Sequence, residues 1–445
     1  MSDQKRVARS LELYRRAETL IPGRTQLISR RSSQFAHGNS PIYAGRAKGA
    51  RFIDVDENEY IDWVNAVGAV ILGHADPAVD SAVKAQIDRG SIYTLNSALE
   101  IELAELLNEV IPSAEMARYT KGGGEANAVA ARIARGVTGR DLILFSGYHG
   151  WHDWYQSANY LVDPESGEFP FAGIEPIGVP AALAGTALPF AWGDLDAMRD
   201  LLKEHKGELA AIMLEPMRSE LPPPGYLEGV KALARAHGAV LVFDEVSCGF
   251  RPHIGGVQAY LGITPDMTVL AKALSNGYPM GAVVGSRAVM EPAGRMFISS
   301  SYWSDNLGLA ASLTTIRELE ARESARRFEA LGTALIERLN LALREAGLAG
   351  ECGGAFWNPT LRFALPDESL RPAANTIFIQ EMARRGIHCN MSFKATLAHT
   401  QEDIEITASC AAEAFALIKG GLDSGDLSQL LESDLTKEPF RRLVR

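Results

Sequence analysis

Cysteine is scarce in this chain of 445 residues, and the four present, Cys248, Cys352, Cys389 and Cys410, have no C-x-x-C spacing and no adjacent histidine set. That pattern excludes a disulfide scaffold and a structural zinc site; no metal is expected, and free, mostly buried thiols are. Long apolar runs are missing too. The longest, Ala66 to Leu72, falls far short of the roughly 20 residues that cross a bilayer. The first twenty residues carry charges throughout and lack the apolar centre of a secretory signal. Positive charge is in deficit, with 44 basic against 55 acidic residues and a net −11, which argues against a general nucleic-acid binder. With 47% hydrophobic and 22% charged residues, neither disorder nor a collagen-like chain is in play. A soluble cytoplasmic protein, with no nucleic-acid or membrane partner, is the expectation.

The stretch from Gly238 to Met280 contains two buried-strand patterns, each ending in charge. An apolar run from Ala239 to Phe243 stops at Asp244 and Glu245, and a second, Met267 to Ala271, stops at Lys272. Fully buried parallel strands read this way, and open α/β sheets bind ligands at their C-terminal edge. An acid and an amine placed there suit pyridoxal phosphate: the amine forms the Schiff base, and the carboxylate keeps the pyridine nitrogen protonated. Strand-end charges also occur simply as caps.

Elsewhere, Arg6 to Ile21 has helical spacing and stops at Pro22-Gly23. Arg24 to Ala44 is polar and basic without a period, and reads as a surface or substrate loop. Arg51 to Trp63 reads as a hairpin turning at Asp56-Glu57-Asn58, and Pro77 to Val110 as two helices. Gly122, Gly123 and Gly124 open an Ala-rich helix, an arrangement that binds oxyanions but is also a tight turn. Tyr148, His149, Trp151 and Trp154 follow the strand Leu142 to Phe145, as core or pocket lining. Tyr155 to Trp192 is irregular and rich in Pro, Gly and Ala. Leu209 to Leu214 is a buried strand ending in Glu215, and Ser299 to Asn306 is a polar loop before the helix Leu307 to Leu319.

FDEVSCGFR with LAKALSNGYPMGAVVGS resembles the core of the class III, fold-type I aminotransferases of pyridoxal phosphate, especially the branch with glutamate-1-semialdehyde aminomutase. VDENEYIDW, LGHADP, GEANAVAARIAR, GYHGWHDW, LEP and LAHTQEDI fall in the same order along most of the chain. The resemblance implies an α/β fold: a large domain with a mainly parallel seven-stranded sheet between helices, over residues 66–320. A smaller α+β domain would come from residues 1–65 and 321–445. It further implies a homodimer in which each site is completed by the neighbour's Ser301 to Asn306 loop.

Carried over by resemblance, Lys272 and Asp244 are catalytic, and Gly122, Gly123 and Gly124 hold the phosphate. Tyr148 stacks on the pyridine ring with His149 near it, Val246 packs beneath, and Glu215 sits by the ring hydroxyl. Relatives carry Ser and Thr hydroxyls at 122 and 124, both absent here, so the phosphate rests more on backbone N–H groups, with Lys121 a further candidate. Tyr302 stands where relatives place a Thr that reaches the neighbour's phosphate, and its hydroxyl or that of Ser301 takes over. Val246 is also assigned to the same strand face as Asp244. Arg30 falls where aminomutase-like relatives bind a substrate carboxylate, with Arg31 adjacent and a surface-charge role equally open. Val67 takes the place of an aminomutase tryptophan.

The expected activity is transfer of an amino group between a small-molecule amino donor and an oxo acceptor. The alternative is a 1,2-aminomutase. A third reading, cofactor or partner binding without turnover, is disfavoured by the retention of both Lys272 and Asp244.

Overall fold

The computed structural model describes residues 6–161, 175–217 and 219–436. Part of the irregular stretch read from Tyr155 to Trp192, residues 162–174, lies outside them. The described residues divide into two compact units, one of residues 6–76 and 326–436, the other Pro77–Ala325.

In the first unit, β1 (Ala44–Lys48), β2 (Arg51–Asp54) and β3 (Glu59–Asp62) form an antiparallel meander, with β13 (Ile387–His388) added parallel to β3. The hairpin expected between Arg51 and Trp63 is β2–β3. Its turn is fixed by the buried Asp54 carboxylate, whose Oδ1 accepts the N–H groups of Asp56 and Asn58 at 2.9 and 2.8 Å. A second hairpin, β11 (Gly350–Gly353) with β12 (Thr360–Phe363), lies in the later segment. There the helices Arg371–Arg384 and Gln401–Ser424 pack through Phe378 stacked on Phe415 at 5.5 Å, with Phe363 edge-on to both. The basic segment from Arg24 is a succession of 3₁₀ turns, including Ile28–Arg30 and Ser32–Gln34.

The second unit is built on seven strands: β4 (Met116–Thr120), β5 (Leu142–Ser146), β6 (Ala187–Pro189), β7 (Leu209–Leu214), β8 (Val240–Asp244), β9 (Met267–Leu270) and β10 (Gly281–Gly285). Their order is β4-β10-β9-β8-β7-β5-β6; β10 runs antiparallel to both neighbours and the remaining pairings are parallel. Strands β5, β7, β8, β9 and β10 are buried at every residue. Successive side chains point to opposite faces, so each strand feeds two cores. Ile143, Phe145, Met213, Val240 and Val242 pack with Ala126, Ala130 and Ile133 of the helix Gly123–Thr138. Leu144, Ile212, Leu214, Leu241 and Phe243 pack with Met198 and Leu202, and with Leu227 and Val230 of the helix Tyr226–Ala236. The result is an α/β/α sandwich. Strand β6 was not read from the sequence: it is three residues at the sheet edge, ending in a proline. Among the described residues no helix is long and apolar enough to cross a membrane.

Leu241, 1% exposed at the centre of this sheet, tests how much the second core contributes. Leu241→Ala should destabilise the unit by about 2–5 kcal/mol, read as a lowered thermal midpoint of the cofactor-free protein.

Candidate active site

Asp244 is the last residue of β8, and Lys272 lies just past the end of the adjacent β9. Asp244 pairs in register with Val269, so the two side chains emerge at one edge of the sheet. The Asp244 carboxylate is 1% exposed. Its Oδ2 accepts from Asn127 Nδ2 at 2.8 Å and lies 2.7 Å from His149 Nδ1, while Oδ1 accepts the Val246 N–H at 3.0 Å. A carboxylate offers about four acceptor positions. Three are taken, and one remains for a cationic N–H such as a pyridinium. Asn127 was not singled out in the sequence; it is a buried polar residue on the core-facing side of the helix after the glycine turn.

Lys272 stands in the left-handed region (φ 48), a conformation that costs a non-glycine residue of order 1–3 kcal/mol and clusters at functional sites. Its Nζ donates to Ser247 Oγ at 2.8 Å, and the Ser247 carbonyl in turn accepts from Arg251 Nε at 3.0 Å. Arg251 is buried, which pushes its guanidinium down to about 10. Burial also holds the Cys248 thiol far above its usual range, so this cysteine is inert packing rather than a nucleophile.

The glycine turn is shaped to receive an anion. Gly122 is the N-cap of the helix Gly123–Thr138, with no side chain capping it. The helical ladder begins with Ala126 N–H to Gly122 O, so the N–H groups of residues 123–125 precede it and have no helical acceptor. A Cβ on Gly123 would lie 2.8 Å from Val246, whereas one on Gly122 would meet nothing within 4 Å. The turn thus backs onto Val246 and opens where a phosphate would sit. Val246 lies beyond the last residue of β8, so the strand-face alternation assigned to it does not apply. A turn places it here, held by its own N–H on Asp244. Lys121 is engaged elsewhere: its Nζ pairs with Asp305 Oδ2 at 2.7 Å.

Glu215, directly after β7, is buried, and its Oε2 receives the Tyr148 N–H at 3.3 Å. Gly147 permits this approach; with φ 120, a Cβ there would lie 2.6 Å from Glu215 Oε2. Tyr148 itself is 38% exposed and edge-on to the buried Tyr155. His149 is fully buried, and its Nε2 has no partner among the described residues. Ser301 and Tyr302 lie in an exposed turn, and Asp305, rather than a serine, caps the following helix Asn306–Ala321. Arg30 and Val67 belong to the first unit. Arg30 is exposed in its 3₁₀ turn. Val67 sits in a left-handed turn with Asn65 and Ala66 (φ 50, 51 and 59), anchored by Asp62 Oδ1 on the Val64 and Asn65 N–H groups and by Asn65 Nδ2 on the Lys394 carbonyl.

An aldehyde-bearing pyridine phosphate fits what the second unit gathers: an amine, a buried carboxylate with one free acceptor position, a partly exposed aromatic ring and an uncapped glycine turn. A model of the class-III aminotransferases ("Aminotransferase class-III") matches residues 33–351. Among curated proteins, the chain is 37% identical over 440 residues to a glutamate-1-semialdehyde 2,1-aminomutase of Roseiflexus castenholzii, covering 94% of this chain and 99% of that one. It is 33% identical over 429 residues, with the same coverage, to a 3-aminobutyryl-CoA aminotransferase of Cloacimonas acidaminovorans. Among solved structures, the FumI protein of Sphingopyxis sp. MTA144, in its PLP internal aldimine form, superposes with a TM-score of 0.84 at 26% identity, over 94% of this chain and 98% of that one.

Behind Asp244, Glu245 makes the unit's stability depend on pH. Burial and, less strongly, the Asp244 charge push its carboxyl up to about 7, against the Val257 and Gln258 N–H groups that favour the anion. Unfolded, it titrates near 4.5, so between these values the folded state holds the extra proton. Stability is therefore lost as pH rises, by up to about 1.4 kcal/mol per unit. The thermal midpoint of the cofactor-free protein should fall more steeply from pH 5 to 7 in the wild type than in Glu245→Gln.

Proposed function

The chain belongs to the class-III aminotransferase family and is an enzyme of pyridoxal phosphate; within that family, we propose that it is a two-substrate aminotransferase, moving an amino group from an amino acid or amine to an oxo acid, aldehyde or ketone. A 1,2-aminomutase, the activity named for the Roseiflexus relative, uses the same machinery and is the second reading. The observation that carries the choice is Val67. A small β-branched side chain stands where aminomutase relatives place a tryptophan, and that difference supports the transferase over the mutase.

When bound, the cofactor supplies an electron sink for charge developing at the amine-bearing carbon. Lys272 removes and returns the proton at that carbon, its amine held ready by Ser247 Oγ. Asp244, desolvated and oriented by Asn127 and His149, holds the ring nitrogen in its protonated form. Tyr148 would cover one ring face with Val246 opposite, Glu215 would face the ring hydroxyl, and the turn of Gly122, Gly123 and Gly124 would take the phosphate on the N–H groups of residues 123–125. Arg30 offers a planar fork to a substrate carboxylate.

Adding single α-amino acids, β-amino acids and simple amines to the PLP-loaded protein, without oxo acid, should abolish the visible band with one donor class and release about one oxo product per site. Survival of the band against every donor but glutamate-1-semialdehyde would favour the mutase. Lys272→Ala should lower turnover by about 10²–10⁴-fold or more.

We further place it in the cytoplasm, in keeping with its free thiols, as a homodimer in which the partner subunit's Ser301 and the partner subunit's Tyr302 reach the phosphate. Large exposed apolar side chains support an interface, among them Phe297, Leu95 and Tyr302, at 90%, 82% and 69% exposure. Activity per chain should fall on dilution below the dimer dissociation constant; a fully active monomer would contradict this.

A further inference from the structure

The glycine turn has a neighbour that the family comparison does not explain. His152 is the N-cap of the short helix Asp153–Gln156, and its backbone run is pressed against the turn: a Cβ on Gly150 would lie 2.6 Å from Gly124 Cα. The imidazole follows. Its Nδ1 and Cε1 both lie 3.5 Å from the point where a Cβ on Gly124 would project. Trp151 stacks on the ring at 4.5 Å and fixes its plane. Nδ1 is shielded from solvent and has no hydrogen-bond partner among the described residues. A buried ring nitrogen without a partner is costly unless the bound state provides one. The candidate partner is the anion placed over the N–H groups of residues 123–125. Burial lowers the imidazole below its usual value, against the nearby charges of Glu125 and Asp153. It is therefore neutral at physiological pH, with one nitrogen protonated and able to donate.

We propose that His152 is a ligand of the cofactor phosphate, its Nδ1–H donating to a phosphate oxygen from the space that a side chain at position 124 would otherwise occupy. Glycine at 124 and histidine at 152 are then a matched pair. A hydroxyl-bearing side chain at 124 would carry its γ atoms into the ring, and the imidazole supplies the donor that such a hydroxyl would have given.

The test is equilibrium binding to the cofactor-free protein, comparing PLP with pyridoxal, which lacks the phosphate. His152→Leu keeps volume and loses the donor; it should weaken PLP by about 10- to 100-fold and leave pyridoxal within about 2-fold. His152→Gln keeps a donor and should stay within about 3-fold of wild type for both, and it decides the matter if the leucine variant folds poorly. Gly124→Thr should weaken PLP in the wild-type background and restore it in His152→Ala. Equal losses of PLP and pyridoxal in the leucine variant, or an unchanged PLP affinity, would overturn the assignment. The proposal rests on the cofactor reading, whose own failure would differ: wild-type protein would then bind neither ligand.

Discussion

The site depends on keeping a carboxylate charged in a nearly dry place. Burying an isolated carboxylate costs many kcal/mol, and Asp244 avoids that cost only because a helix, a turn and the strand's own continuation each bring a donor to it. Asn127 comes from the helix behind the glycine turn, His149 from the turn after β5, and the Val246 N–H from the residues just beyond β8. Removing any of these would leave charge unsolvated. The same three elements also carry the glycine turn, the Tyr148 ring and Val246 beneath them, so the contacts that hold the acid bring most of the candidate site together.

Placing that carboxylate at a strand end solves a second problem. In a parallel sheet the C-terminal edges of adjacent strands lie side by side, and the order β9-β8-β7-β5 sets Lys272, Asp244, Glu215 and the Tyr148 turn along one edge. Close approach then demands glycine where side chains would collide. Gly147 lets Glu215 reach the Tyr148 N–H, and Gly123 lets the turn lie on Val246. Gly256, with φ 77, likewise admits the buried Glu245 carboxylate. Lys272 adopts a left-handed backbone, and its amine is held on Ser247 Oγ.

Much of this edge is legible from sequence because its strands are buried on both faces and end abruptly in charge. β8 and β9 needed only the run of apolar residues and the Asp and Lys that close them, and the triple glycine announced the helix start. What could not be read depends on long-range contact. Asn127 is one polar residue in an Ala-rich helix, indistinguishable in one dimension from a surface residue. Ser247 and His152 look like ordinary loop residues until Lys272 and Gly124 are placed beside them. The left-handed turn from Asn65 to Gly68 is invisible for a different reason. Alanine and valine do not favour that conformation, and it is imposed by Asp62 and the Lys394 carbonyl, the latter more than 300 residues away. β6 failed on length, since three residues ending in proline carry no period.

The division between transferase and mutase does not lie in the buried constellation. Moving a proton at an amine-bearing carbon requires the same amine, the same carboxylate and the same phosphate anchor whether the nitrogen leaves with a second substrate or returns to the first. Residues that separate the two outcomes must touch the part of the substrate that the cofactor does not hold. Val67, the residue proposed for such a position, is a branched residue held at φ 59 within three successive non-glycine left-handed residues, each disfavoured by about 1–2 kcal/mol. Backbone of that kind persists only where its surroundings over-determine it. Here the Asp62 carboxylate does so; burial alone would raise it, but His74, His388 and the Asn65 N–H hold it below its usual range. A rigidly held small side chain defines the size of what it contacts more sharply than a flexible one. The strained turn is thus fixed within the first unit, while the amine, the carboxylate and the glycine turn are fixed together at the sheet edge of the second.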